Sequence, residues 1–84
     1  MELRSRAEAI QTREDLAGFV LALRTDLMTN PGEWENASLD RFLEALSAWC
    51  FDMPGYFSNR GEEQPEHPDW RLVGRMLLAA SMYE

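Results

Sequence analysis

The stretch Ser38-Leu39-Asp40-Arg41-Phe42-Leu43-Glu44-Ala45-Leu46-Ser47-Ala48-Trp49-Cys50-Phe51-Asp52-Met53-Pro54-Gly55 decides the fold. Ser38 is a good helix N-cap, because its hydroxyl can take a free backbone N–H, and Leu39 and Asp40 open the first turn. Phe42, Leu43, Leu46, Trp49, Cys50 and Met53 recur at helical spacing, which predicts an amphipathic helix with a wide buried stripe. Met53-Pro54-Gly55 predicts its end, since the pyrrolidine ring disfavours helix at Met53 and supplies no N–H.

The flanks read the same way. Upstream, Thr12 caps a helix whose first turn holds Glu14 and Asp15, with Asp15 in the place a capping box gives to Glu or Gln. Leu16, Phe19, Val20, Leu23 and Leu27 form one face, and Asn30-Pro31-Gly32 stops it. Leu3, Ala7 and Ile10 predict a shorter helix before Thr12. Downstream, His67-Pro68-Asp69-Trp70 starts a last helix with Pro68 in its first turn and Trp70, Val73, Leu77 and Ala80 on one face, flanked by Met76 and Tyr83. No segment alternates as a strand does. The expectation is an all-α, small three- to four-helix bundle formed by a single domain over residues 1–84, with one long loop before the last helix. That loop, Pro54 to Pro68, holds three of the four prolines and the acids Glu62, Glu63 and Glu66. Connections of that length are uncommon in so small a domain and are often functional.

Composition bounds the chemistry. Fifteen acids against eight bases give a net charge of −7, and every base is arginine. A field of that sign repels phosphate backbones, so nucleic acid is an unfavourable partner and a basic protein a favourable one. No stretch approaches the roughly 20 apolar residues that cross a bilayer, and nothing signal-like follows Met1-Glu2-Leu3-Arg4, so a cytoplasmic protein without a membrane role is expected. The lone Cys50 makes no internal disulfide, and its place on an apolar run predicts a buried small hydrophobe.

Catalysis and metal binding find little support. His67 and Cys50 alone make no zinc site without carboxylates, and Glu62, Glu63 and Glu66 lack calcium-loop spacing, so neither metal nor cofactor is expected. Ser38 is explained as a cap, Ser47 as helix surface, and Cys50 as part of an apolar stripe. The expectation is not an enzyme.

What remains are aromatics beside acids in the connections, in Glu33-Trp34-Glu35-Asn36 and in Gly55-Tyr56-Phe57-Ser58-Asn59-Arg60. Trp49 and Trp70 lie on helical stripes and read as core. Trp34 reads first as a lid folded over the core, and otherwise as a contact residue. Tyr56 and Phe57 are adjacent and cannot both point inward equally well, so one is a candidate for exposure. Exposed aromatics beside an arginine are the residue types enriched in interface hot spots. The candidate partner-binding set is therefore Glu33, Trp34, Glu35, Tyr56, Phe57 and Arg60, with Glu62 and Glu63 as outlying acids.

Thr12 to Val20, then Trp34-Glu35-Asn36, Leu39, Phe42 to Leu46, Trp49, Asp52-Met53, Gly55-Tyr56-Phe57 and Asn59, and the ending Trp70, Leu77, Ala79-Ala80 and Tyr83-Glu84, resemble a family of small acidic bacterial proteins carrying only an unknown-function label. The resemblance spans nearly the whole chain and implies no catalytic residues. Phe57 stands where that pattern has a second tyrosine. The Arg13-Glu14-Asp15 opening with Phe19-Val20 is similar to bacterial toxin-immunity proteins, which implies an acidic inhibitor covering a basic active site. A self-associating structural module is the alternative, and a small enzyme or ligand carrier a further one.

Overall fold

The computed structural model describes residues 2–83; Met1 and Glu84, which entered the reading of the two termini, lie outside the described residues. The chain forms α1 (Leu3–Glu8), α2 (Arg13–Thr29), a 3-10 turn (Pro31–Glu33), α3 (Leu39–Asn59) and α4 (Trp70–Met82), with no strand among the described residues. The all-α bundle expected from the sequence is what forms.

Local chemistry sets the helix starts. Thr12 Oγ1 accepts from Asp15 N at 3.1 Å, while Asp15 Oδ2 accepts from Gln11 N at 3.0 Å, so the reciprocal bond closes one residue before the cap. Ser38 Oγ accepts from Arg41 N at 3.2 Å. Asp69, outside the last helix, accepts from Leu72 N at 2.7 Å. Asp69 is thus the cap of α4, and Pro68 precedes the helix instead of standing in its first turn.

The predicted stop at Pro54 is wrong. Helix α3 runs through Pro54 and Gly55 to Asn59, and Gly61, at φ 67°, terminates it. Gly61 N donates to Ser58 O and Glu62 N to Phe57 O, the paired bonds of a Schellman cap that needs a left-handed residue at Gly61. Pro54 inside a helix forfeits one backbone bond at a cost of about 3 kcal/mol. Both Pro54 and Cys50 are exposed, so water reaches that side of the helix and the loss is smaller. Continuing the helix buries Phe57, worth about 1.5–3 kcal/mol, and packs Tyr56 beside it. The long loop is correspondingly shorter, Arg60 to Asp69, and exposed throughout.

Helix α4 is the centre of the bundle: α1, α2 and α3 all pack on it, while α2 and α3 make no helix-to-helix contact with each other. The molecule measures 35 × 27 × 18 Å, and its thinnest dimension is about two helix diameters less the interdigitated side chains. This arrangement explains three further corrections. Because α3 rests on α4 alone, it buries Ala45, Trp49 and Phe57 and leaves the outer half of its stripe in water, Leu43 and Cys50 included. Cys50 is therefore an exposed thiol and not a core residue. Because α4 is surrounded, its buried residues are Leu72, Gly74, Ala80 and Ser81, not a single stripe. Trp70, in its first turn, overhangs its neighbours and is 47% exposed.

Two clusters make up the core. Ala7, Ile10, Phe19 and Leu23 form one between α1, α2 and α4; Trp49, Phe57 and Leu72 form the other between α3 and α4. Gly74 permits the close approach of the first: a Cβ there would fall inside the Ile10 side chain.

Candidate functional site

The structure divides the candidate residues into two groups that rest on different core clusters. The first is the connection between α2 and α3. Trp34 donates its indole Nε1–H to Asp26 Oδ2 at 2.7 Å and stacks on Phe42 with ring centroids 6.4 Å apart. Asn36 is buried, and its donors reach the end of α4: its backbone N donates to Ser81 O, and Nδ2 donates to Ala80 O at 2.9 Å and Tyr83 O at 2.6 Å. Two of these carbonyls belong to the last turn of α4 and have no partner within the helix. The Trp34-Glu35-Asn36 segment is therefore a clip that holds the α2–α3 connection on the C-terminus of α4. Glu33 and Glu35 point to solvent beside it.

The backbones of α2 and α3 stay apart, and an open apolar groove of about 300 Å³ lies between them. Val20, Leu23 and Leu27 form one wall, Leu39 and Phe42 the other; Trp34 closes one end and Leu77 of α4 lies at the bottom. Arg24 is the single charged residue of the lining. Leu39 is 72% exposed and Val20 42%. Glu33, Glu35, Asp40 and Glu44 are exposed on the connection and the adjoining first turns of α3, against Arg24 and Arg41. The groove escaped the sequence reading, which placed Val20 and Phe42 on buried stripes; the sign available was Leu39, a large apolar residue at the first position of a helix.

The second group surrounds the end of α3. Phe57 is 3% exposed and so leaves the set of contact candidates: an adjacent pair of aromatics has one member inward, and here it is the phenylalanine. Tyr56 is half-buried, 5.1 Å from Trp49 and from Phe57 between ring centroids. Arg60 lies over the Tyr56 ring at 5.3 Å and donates from Nε to Glu62 at 3.1 Å. Glu63 is exposed in the following loop. Tyr56 and Arg60 line a cleft of about 390 Å³ with Trp49 of α3, Arg4 and Glu8 of α1, and Arg75 of α4. Glu8 grips Arg75 with both oxygens at 2.8–3.0 Å, across a gap of 67 residues in the chain. Burial pulls the Arg75 guanidinium pKa down and the Glu8 carboxylate more than reverses it, so the pKa stands above its ordinary value. Nothing in the local sequence marks that pair.

Among the described residues no helix is long and apolar enough to cross a membrane. The chain belongs to a family of unknown function, DUF7660, whose model matches residues 12–84. Helix α1, which carries Ala7, Arg4 and Glu8, precedes the matched span. No curated protein and no solved structure matches the chain.

Proposed function

We propose that the chain is a non-enzymatic, cytoplasmic protein-binding module, an acidic immunity-like inhibitor of a basic bacterial protein, with the groove between α2 and α3 as its docking face. The observation that carries the reading is the groove itself: large apolar side chains stand exposed between two helices that both pack on α4 but whose backbones stay apart. Such a wedge suits the apolar face of a partner helix, a recurring mode of recognition. Glu33, Glu35, Asp40 and Glu44 are exposed on the connection and the first turns of α3, outside the groove lining, and the whole chain carries −7. Charge of that sign speeds the approach of a basic partner and disfavours both nucleic acid and membranes of anionic lipid. It also opposes a second copy of this chain, which sets the reading apart from a self-associating structural module. Trp34, anchored by Asp26, supplies a rigid aromatic edge at the groove's end.

The test is capture from native lysate with wild type, Leu39→Glu and Phe51→Glu, at low and high salt. Phe51 is 83% exposed and lies outside the groove, so its variant controls for loss of surface hydrophobicity in general. A basic protein retained at low salt by wild type and by Phe51→Glu, but not by Leu39→Glu, is the expected result. Retention unchanged in Leu39→Glu, or concentration-dependent mass with no partner, would overturn the reading in favour of another face or of self-assembly.

A further inference from the structure

The cleft between α1, α3 and α4 gathers cations that the groove does not use. Three of the eight arginines reach it from three separate elements: Arg4 on α1, Arg60 at the C-cap of α3 and Arg75 on α4. Arg75 is matched by Glu8 and Arg60 by Glu62, while Arg4 takes part in no ion pair among the described residues. Of the three arginines of the cleft, Arg4 is thus the one without an ion-pair partner among the described residues. Against it stands the half-buried Tyr56 ring, 5.1 Å and 59° from Trp49, of which only 5% is exposed, and the wall is continued by Ala7, Leu78 and Ala79. The volume, about 390 Å³, is in the range of small-molecule sites, and the make-up is theirs too: mostly apolar lining with a few converging polar groups.

We propose that this cleft binds a small aromatic monocarboxylate, its ring against Trp49 and Tyr56 and its carboxylate between Arg4 and Arg60. A monoanion is favoured because Glu8 lines the cleft and Glu62 adjoins Arg60, and the second charge of a phosphate dianion would meet these carboxylates. Guanidinium groups suit the planar carboxylate, since they offer paired N–H donors in a rigid fork. Arg60 is already levelled over Tyr56, and its bond to Glu62 is a surface pair that an incoming anion can replace. Arg75, held by Glu8 and 20% exposed in its side chain, forms a fixed wall and does not turn toward the ligand. Arg4 and Glu8 precede the span matched by the family, so this site depends on the chain's own first helix.

Isothermal titration of the full chain with indole-3-acetate tests the assignment, with indole as the uncharged arm, acetate as the ringless arm and phenyl phosphate as the dianion. Saturable one-to-one binding of indole-3-acetate is expected, with acetate and indole each far weaker. Arg4→Gln should weaken it about tenfold or more, the range of one charge-assisted bond, and Arg60→Gln comparably. Both positions are exposed, and unchanged helical circular dichroism checks the fold. Indole binding as tightly as its acid, an unaltered affinity in Arg4→Gln, or no saturable heat up to millimolar ligand would overturn the proposal. Tighter binding of phenyl phosphate would overturn the monoanion.

Discussion

The Trp34 and Tyr56 segments look alike in sequence, each placing aromatic, amide and charged side chains together in or near a connection, yet the fold uses them differently. From Trp34 to Asn36 the polar groups of the indole and the amide are turned inward: the indole N–H to Asp26, the Asn36 amide to the end of α4. From Tyr56 to Arg60 the helix turns Phe57 inward and leaves Tyr56 and Arg60 facing a cleft. Hydrogen-bond accounting separates the two where composition does not. A segment whose indole and amide donors are satisfied within the chain is an anchor, and what it offers a partner is the shape it holds. A segment with a half-buried ring beneath an exposed guanidinium leaves both side chains open to the cleft.

The largest effect that tests this contrast is at Phe57. Phe57→Ala removes the ring from the second core cluster and should destabilise by about 3–5 kcal/mol, read as a fall in the urea midpoint. The same change takes away the burial that carries α3 across Pro54, so helical circular dichroism should also drop in the folded state. A loss below about 1 kcal/mol would show that Phe57 is not the inward member of its pair. Next comes Asn36→Ala, which strands the carbonyls of Ala80 and Tyr83 near the end of α4. Unsatisfied buried groups cost about 1–3 kcal/mol, so a destabilisation of about 2 kcal/mol is expected, with α4 fraying first in amide hydrogen exchange. A neutral outcome would remove the clip and return the Trp34 segment to the surface.

These two positions also mark how far the sequence could be read. Caps are local chemistry: Thr12 and Ser38 each bond an N–H three residues on, so they were legible, as was the apolar spacing that makes four helices. The end of α3 was not, because a local rule about Pro54 lost to the tertiary burial of Phe57. Cys50 was misplaced because periodicity gives the face a helix prefers to bury, while the number of neighbours decides how much of it is covered, and α3 has one neighbour helix against three for α4. Trp70 is exposed for another reason: it is the first residue of α4, next to the exposed loop. Of the candidate residues, the burial of Phe57 and the division of the others between two regions depend on pairings such as Glu8 with Arg75 and Asn36 with Ala80, far apart in the chain.

The smallest effect concerns Tyr83, where the two regions meet. Its carbonyl accepts from Asn36, its ring packs against the cluster of Trp49 and Phe57, and its hydroxyl donates to Asp52 on α3. That hydrogen bond, with a lesser contribution from burial, holds the phenol above its ordinary pKa of about 10. A group whose pKa is raised on folding stabilises the fold fully below its unfolded value, and the contribution disappears as pH rises through the folded one. Wild type should therefore be more stable than Tyr83→Phe at neutral pH, with the gap closing above about pH 10 as the phenolate forms beside Asp52. Urea midpoints for both proteins at neutral pH and above pH 10 give the answer, since Phe keeps the ring and removes only the donor. A gap that stays constant across that window would mean that Asp52 does not hold the hydroxyl. The two regions would then be joined through Asn36 and the ring alone, and the Trp34 clip would carry the connection between them without help from α3.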